Sequence, residues 1–587
     1  MTSTKGVEGF PIRQGDPLTS VRIRTKLLLP LATAPAKAHR AALGGKEVQR
    51  TGPTGTSRRR PGLVIMIGRL LASPARAGSL LWDEQVSPDL RGPGSERLGA
   101  DPPVQVCFTH QLEYSVSESV VTLFESLVGA EPPHDVPVLF DTACVMGGSI
   151  AGLLAARVLS DRARRVVIVE PDETSAEAES RSGVPQDQQV HTLLPAGRLW
   201  IERWLPGVSQ EAQDRGASLV GPDKQFVGYD DIRQASDGVG HQFLAVGRPL
   251  LETLVRARVT ALPNVSVLRA QATGLRYGDG AVVGVRFAGP GNGDQGERAE
   301  GDLAADFVVD AMGRSSRLSN WLRQDGYDQP RLERLESPVN YATALFERPV
   351  KFPELEVATV LQLFTPQYPS GGVSVAAANA IEEQQWLVML MGYGDNRPGR
   401  TLDEFRARCA ALPAIFSDIT SGGVTRGVVT YRQAENRRRH FAEAGCLPAR
   451  LVSMGDAVAS FNPVYGQGMS SAALHASCLA SYLDSGTDLD EAAMEFFRLQ
   501  QVVVDAAWAV SAGGDAARID AENGTEVPEE VRQQRRVMAQ IAGAALADAD
   551  VSRAFNNVSY MLRHPDTLFD PELLEKAAAT TEGAAAQ

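Results

Sequence analysis

Val138-Leu-Phe-Asp-Thr-Ala-Cys-Val-Met-Gly-Gly-Ser-Ile-Ala-Gly152 is the stretch from which the rest of the chain can be read. Its first nine residues are a short, mostly apolar run, as in a buried strand. Gly147-Gly-Ser-Ile-Ala-Gly152 then makes a glycine turn, and Leu153-Leu-Ala-Ala-Arg-Val-Leu159 has the residue types of a helix. Arg165-Val-Val-Ile-Val-Glu170 follows as a second strand ending in a carboxylate, 18 residues past Gly152. Strand, glycine turn, helix and acidic strand end, in that order, are the layout of a dinucleotide-binding unit. Gly147 supplies the tight turn and Gly152 lets helix and strand pack closely. Gly148, Ile150 and Ala151 place backbone N–H groups and the positive end of the helix where a diphosphate can lie. Glu170 is positioned to accept hydrogen bonds from adenosine ribose hydroxyls. Ser149 stands where the pattern has its second glycine, and it is small enough to admit close backbone approach.

NAD and FAD both use such a unit, so the choice falls to segments further along. Ala305-Asp-Phe-Val-Val-Asp310-Ala-Met-Gly313-Arg-Ser-Ser-Arg317 reads as a strand ending in Asp-Ala-x-Gly-Arg, with Asp310 and Gly313 suited equally to a surface turn. Leu451-Val-Ser-Met-Gly455-Asp456 is sharper: a strand runs into a Gly-Asp turn, a loop holding Pro463, and a helix opened by Gly466, Gln467, Gly468 and Met469. Asp456 can bind ribose and ribityl hydroxyls. The helix N-terminus can face the N1/C2=O edge of an isoalloxazine, which carries negative charge when reduced. Pro463 and the glycines keep the loop thin enough for a ring to lie against backbone.

Taken together, the three segments resemble the Gly-rich, Asp-Gly and Gly-Asp motifs of flavoprotein monooxygenases with the para-hydroxybenzoate hydroxylase fold, from about Val136 to the C-terminal helices. Gly183-Val-Pro-Gln186 with His191, Gly247-Arg248-Pro-Leu-Leu-Glu252, Tyr341-Ala-Thr, Phe461-Asn-Pro-Val-Tyr-Gly-Gln-Gly-Met469 and Val504-Asp-Ala-Ala-Trp508 with Asp515 look closer still to bacterial FAD epoxidases of polyether polyketide biosynthesis. The resemblance implies an α/β chain, α+β overall. A Rossmann-like FAD-binding domain would carry an inserted antiparallel-sheet substrate domain and C-terminal helices. It implies FAD, with NADPH or NADH as electron source directly or through a separate reductase. A C4a-hydroperoxyflavin would pass one oxygen atom of O2 to a lipophilic small molecule, by epoxidation or hydroxylation in antibiotic-type secondary metabolism. It also brings Gln186 and Arg248 to the cofactor. No protein nucleophile is required, and catalytic residues are left open.

The domain boundaries expected are a disordered basic extension over 1–135, FAD-binding segments over 136–335 and 441–490, a substrate sheet over 336–440, helices over 491–570 and a disordered tail over 571–587. Residues 1–100 hold 16 Lys+Arg against 7 Asp+Glu, whereas the whole chain carries a net charge of −13. A body this acidic repels phosphate, so nucleic acid is not an expected partner. Arg22-Ile-Arg-Thr-Lys-Leu-Leu-Leu and Arg58-Arg-Arg-Pro-Gly-Leu-Val-Ile-Met-Ile-Gly-Arg69 are basic then apolar, but the first apolar run is short and Arg69 interrupts the second. No run of 18 apolar residues suggests a transmembrane segment. Cys107, Cys144, Cys409, Cys446 and Cys478 form no CxxC pair, which argues against zinc and a disulfide framework and for a reducing, cytoplasmic setting. No metal site is expected.

Asn340-Tyr-Ala-Thr-Ala-Leu-Phe, Thr359-Val-Leu-Gln-Leu-Phe, Gly372-Val-Ser-Val-Ala and Gln385-Trp-Leu-Val-Met-Leu-Met read as one antiparallel sheet roofing the cofactor. Tyr341, Trp386 and Trp508 are its candidate pocket residues, Trp508 being as readily a helix-packing residue. Arg437-Arg-Arg439 suits a solvated charge run better than a phosphate site. The rival enzymes on this fold are a halogenase, which would want a Trp-x-Trp segment and a pocket lysine such as Lys224, and a prenyl-type reductase. The rival of another class is a non-catalytic FAD-binding sensor.

Overall fold

The computed structural model describes residues 119–173, 177–289, 299–349 and 357–586. Five parallel strands stand in the order Leu451–Ser453, Phe307–Asp310, Phe140–Met146, Ala163–Glu170 and Val265–Arg269. The inner strand Phe307–Asp310 is buried throughout, and Phe140–Met146 and Ala163–Glu170 are mostly apolar and buried over their last four and five residues, as strands covered on both faces require, whereas the edge strand Val265–Arg269 is largely exposed. The glycine turn feeds the helix Ile150–Ser160, whose Leu153, Leu154, Val158 and Leu159 are fully buried. Strand register decides where chemistry can happen. Met146 pairs with Asp310, and Asp310 pairs with Ser453, so the three motif turns leave the carboxyl edge side by side.

The second large sheet has eight strands. Ala459–Ser460, Val424–His440, Arg331–Glu347, Gln385–Tyr393, Val375–Ile381 and Thr359–Leu363 are antiparallel neighbours. It then continues, in parallel, onto Gln225–Tyr229 and ends at Ile232–Arg233. The four runs read as one antiparallel sheet do pair so, and the sheet is wider than the span 336–440. Its longest strands begin at Arg331 and end at His440, and it recruits a strand from the stretch assigned to the FAD-binding segment. Gln225-Phe-Val-Gly-Tyr229 is too short to announce itself, and its pairing to Thr359–Leu363 is a tertiary choice.

The two sheet faces do different work. Ala342, Ala344, Phe346, Trp386, Val388 and Leu390 point toward the helices Leu402–Ala410 and Ala414–Thr420, meeting Phe405 and Phe416. Val339, Tyr341, Met389, Met391 and Tyr393 form the opposite face, against Val190 and Val464.

Two expectations of disorder are overturned at their described ends. Val120–Gly129 is a helix, N-capped by Ser119, which accepts from Thr122 N–H at 3.1 Å. Phe124 and Leu127, three residues apart on one face, are buried, and Ser477 donates to the Leu127 carbonyl at 2.9 Å. The rest of the basic extension lies outside the described residues. Pro571–Ala586 is likewise helical, not a disordered tail. Its Leu573, Leu574 and Ala577 join the cluster around Met538 and Ile541 of the helix Glu529–Ala545, an apolar stripe too short to show in a run rich in Ala and Thr. Cys144, Cys409 and Cys478 are free and buried, and Cys107 lies outside the described residues.

Candidate functional site

The three turns interlock through missing side chains. Gly147 has φ +103° and a Cβ there would sit 2.4 Å from the Ala311 carbonyl oxygen of the second motif. A Cβ on Gly152 would lie 1.8 Å from the Gly147 carbonyl oxygen, a backbone atom that cannot move aside. Backbone bonds complete the seam: Ala311 N–H donates to Met146 at 2.8 Å and Met454 N–H to Asp310 at 2.8 Å. The helix Ile150–Ser160 has no side-chain cap on its N-terminal N–H groups, and neither has Gly468–Asp484. Both helix starts therefore present unclaimed donors and positive potential.

At one end of this edge, charge is concentrated around Glu252. Arg248, Glu252 and Arg256 are one turn apart on the helix Arg248–Thr260 and so share a face. Glu252 accepts from Arg256 at 2.6 Å, from Arg181 at 2.7 Å, from Ser149 Oγ at 2.8 Å and from Arg248 at 3.1 Å. Burial opposes ionisation of Glu252, but Arg248, Arg181 and Arg256 outweigh it and hold the carboxyl down at about 2. Glu170 Oε2 accepts the Gly148 N–H at 2.6 Å, while its Oε1 accepts Asp172 N–H at 3.0 Å and Arg181 at 3.3 Å. The expected ribose acceptor thus also pins the glycine turn. Arg248 reaches that turn too, donating to Ser149 Oγ at 3.0 Å. Glu252 was not among the residues selected from the sequence; the i, i+4 repeat Arg248-Glu252-Arg256 was the available signal.

At the other end the polar groups are buried and bound chiefly to neutral partners. Asp310 is fully buried, accepting from Ser316 Oγ at 2.6 Å, Ser453 Oγ at 3.0 Å and Met312 N–H at 3.1 Å. Asp456 is raised by burial, against Arg314, Arg248 and Arg437. The Gly455 N–H donates to Nδ1 of the fully buried His475 at 3.0 Å, and burial drops this imidazole to about 3, so it stays neutral and accepting. Asn462 and Asp515, from the loop and the helix Met494–Asn523, lock the Pro463–Gly468 segment. Asp515 accepts from Asn436 at 2.7 Å and from Asn462 at 3.0 Å and 3.1 Å, and Asn462 Oδ1 accepts from Val464 N–H at 3.1 Å and Tyr341 OH at 3.2 Å.

Tyr341 lies on the sheet face that meets the loop. Trp386 does not. It pairs across the ladder with Phe346 and lies in the layer covered by Phe405, because strand side chains alternate and its parity is opposite to that of Tyr341. Trp508 packs under Arg438, whose guanidinium lies 4.6 Å from its ring centroid, and is likewise not a neighbour of Tyr341 in that face. Gln186 is half-buried in the turn whose backbone caps Gln189 at 3.0 Å. His191 is pushed down to about 4 by burial and Arg248, and its Nδ1 lies 3.0 Å from the Gln189 carbonyl. Arg437, Arg438 and Arg439 are no solvated run: they bond to the Arg314 carbonyl, to Glu333 and to the Ala457 carbonyl, and all three are half-buried. Lys224 is exposed.

A flavin dinucleotide fits these residues. Gly313 and Gly468 have open space where a Cβ would stand. Arg248 Nε, Arg181 Nη2 and Gln467 Oε1 are buried without a partner in the protein. Among the described residues no group of His, Cys, Asp and Glu could hold a metal, and no helix is long and apolar enough to cross a membrane.

The family model described as FAD binding domain matches residues 141–487. The Mycobacterium tuberculosis protein Rv3254 is 32% identical over 429 residues, which cover 71% of this chain and 88% of that protein. Among solved structures, the flavin-dependent brominase Bmp2 superposes with a TM-score of 0.51 at 13% identity, covering 77% of this chain and 98% of that one. The p-nitrophenol 4-monooxygenase PnpA from Pseudomonas putida gives 0.50 at 16% identity, covering 73% and 99%. At such identities the likeness to the solved structures is one of fold.

Proposed function

The chain belongs to the FAD binding domain family and has the para-hydroxybenzoate hydroxylase fold, and from that premise we propose that it is a flavin-dependent monooxygenase acting on a lipophilic small molecule. The reaction in this reading is epoxidation of an alkene, with hydroxylation of a ring second, and the electrons come from NADPH or NADH directly or through a reductase. The observation that carries it is the convergence of the Gly147, Asp310 and Gly455 turns at one sheet edge, facing a sheet surface lined by Tyr341, Met389 and Met391.

Bound FAD would supply the redox chemistry that activates O2. The residues hold and shield it. Backbone N–H groups at Gly148–Gly152, with Arg248, would take the diphosphate; Glu170 the adenosine ribose; Asp456 the ribityl chain; and the start of the helix Gly468–Asp484 the negative edge of the ring. Tyr341 steadies the loop through Asn462, and the apolar face beside it keeps water from the reacting carbon. The expected setting is cytoplasmic, with a metabolic role in secondary metabolism.

The test is to purify the full chain and record its visible spectrum. O2 uptake is then followed with NADPH, NADH or an added flavin reductase against a panel of lipophilic alkenes and phenols. Stoichiometric FAD and substrate-stimulated uptake, with ¹⁸O from labelled O2 in the product, are expected. A protein that takes up no FAD ends the reading. Halogenated products in bromide or chloride would move it to halogenation, saturation of a prenyl double bond to reduction, and bound FAD without substrate-stimulated uptake to a sensor.

A further inference from the structure

The Gly455–Asp456 turn is held from behind by polar groups. Ser453 Oγ and the Met454 N–H are bound to Asp310, the Ser453 carbonyl accepts from Gln500 Nε2 at 2.8 Å, and the Gly455 carbonyl accepts from the Val458 N–H at 2.9 Å. Gly455 has no room to shift toward the first motif. Its φ is +61°, and a Cβ there would lie 2.6 Å from the Cβ of Ala151. Its own N–H goes to a side chain, donating to Nδ1 of His475 at 3.0 Å.

His475 belongs to the helix Gly468–Asp484, about two turns past its start. Because Nδ1 accepts, the ring proton sits on Nε2, which faces Ser471 Oγ at 3.4 Å one turn back. The Ser471 N–H in turn donates to the Gln467 carbonyl at 2.8 Å, at the helix start itself. A path of hydrogen bonds thus runs from the Gly-Asp turn to the helix N-terminus. A residue needed only to fill this fully buried place would be apolar, since burying an imidazole costs free energy unless its nitrogens are bonded. One helix therefore governs both grips assigned to the flavin half of the cofactor. Its first turn faces the negative ring edge, and through His475 it holds the turn that presents Asp456 to the ribityl chain. Ring and chain are one molecule, so the two grips must keep a fixed offset.

We propose that His475 is a positioning residue that sets the Asp456 turn at that offset from the helix start, so that FAD held by its ribityl chain has its ring edge against the helix N-terminus. The inference rests on the flavoprotein reading and adds to it a residue that, being fully buried, touches neither cofactor nor substrate. Loss of the bond frees the turn. Reduced FAD, whose ring edge is negative, then loses more than oxidised FAD does.

The test compares His475→Asn, His475→Gln and His475→Leu in the full chain, stripped of FAD, titrated with it, and then measured for midpoint potential when loaded. Asparagine puts an amide oxygen near the place of Nδ1. Glutamine and leucine fill more of the volume but put no acceptor there. His475→Gln and His475→Leu are expected to bind oxidised FAD about tenfold more weakly than the parent, the effect of one hydrogen bond. They should bind reduced FAD weaker by a further factor of about ten, which lowers a two-electron midpoint potential by about 30 mV. His475→Asn should stay within about threefold of the parent in affinity and keep its potential. A packing role predicts the reverse order, because asparagine leaves the largest void. That order, or unchanged affinity and potential in all three variants, would overturn the proposal. A second measurement needs no variant: in the parent the peptide carrying the Gly455 N–H should be protected from deuterium exchange before FAD is added, and free exchange there would overturn it too. A parent chain that takes up no FAD would instead fail the flavoprotein reading, so the two failures are distinguishable.

Discussion

Glu252 and Asp515 are both carboxylates removed from water, and the protein keeps them by opposite means. Glu252 is ringed by Arg181, Arg248 and Arg256, and its carboxyl is held down at about 2. Asp515 is fully buried and satisfied chiefly by the amides of Asn436 and Asn462, with Arg518 no nearer than 3.9 Å, and burial raises its pKa. The first arrangement depends on charge and anchors the glycine-turn end. The second depends on hydrogen-bond geometry and shapes the loop under the sheet. The lesson is that the two ends of one site should respond differently to the same chemical change.

The largest expected effect is at the charged end. Glu252→Ala leaves three guanidiniums without their shared partner, and should cost about 3–5 kcal/mol of unfolding free energy in urea, with loss of retained FAD. Glu252→Gln should recover only part of this, because an amide cannot balance the charge. At the other end Asp515→Ala strands two buried amide donors and should cost about 2–3 kcal/mol. Asp515→Asn should cost only about 1 kcal/mol, since shape and one acceptor survive. If Glu252→Gln proved as mild as Asp515→Asn, the distinction between charge-held and amide-held carboxylates would fail.

That contrast also marks where the sequence could be read. The strand, the turn at Gly147–Gly152 and the acid at Glu170 lie within one stretch, and local spacing reveals them. Gly455, Asp456 and the helix start at Gly468 were legible for the same reason. Asp515 reaches Asn436 across 79 positions and Tyr341 reaches Asn462 across 121, distances over which no local pattern carries information. Trp386 shows a finer limit. The strand Gln385–Tyr393 was visible, but an apolar run buried on both faces gives no parity, so the face each residue occupies had to come from register. The helix Val120–Gly129 was missed although it is largely apolar, because ten residues are too short to set a helical period apart from the Gly-, Pro- and Arg-rich sequence before it, and Pro571–Ala586 was missed because Leu573 and Leu574 are its only large apolar side chains.

Acid should separate the two ends by the opposite signs of their titrations. The folded pKa of Glu252 is depressed from 4.5 to about 2, so its contribution is present above 4.5 and is lost as pH falls toward 2. Asp515 is raised above 3.8, so its sign is reversed: its contribution is complete below 3.8 and declines as pH rises through the folded value. His475, lowered from 6.5 to about 3, adds to the acid loss from 6.5 downward, because the unfolded chain takes up the proton first. Unfolding free energy measured from pH 7 to pH 3 should therefore fall less steeply below pH 4.5 in Glu252→Gln than in the parent. In Asp515→Asn it should fall more steeply. Parallel curves for all three proteins would show that neither carboxylate titrates as its surroundings dictate.

The smallest effects fall on the sheet, where its two faces repeat the comparison at closer range. Trp386→Phe removes volume from the layer against Phe405 and should cost about 1–3 kcal/mol, yet leave the substrate KM unchanged because that layer never meets the loop. Tyr341→Phe removes one hydroxyl that donates to Asn462 at 3.2 Å. Asn462 Oδ1 keeps the Val464 N–H at 3.1 Å, so no buried acceptor is stranded and the stability cost should stay near 1 kcal/mol or below. Its functional effect should be the larger of the two. Without the hydroxyl the loop around Asn462 loses its hydrogen bond to Tyr341, and the fraction of O2 uptake released as hydrogen peroxide should rise as water gains access. Coupling of O2 uptake to product would be measured for both variants at matched flavin content. If Trp386→Phe uncoupled the reaction and Tyr341→Phe did not, the face assigned to the substrate would be the wrong one.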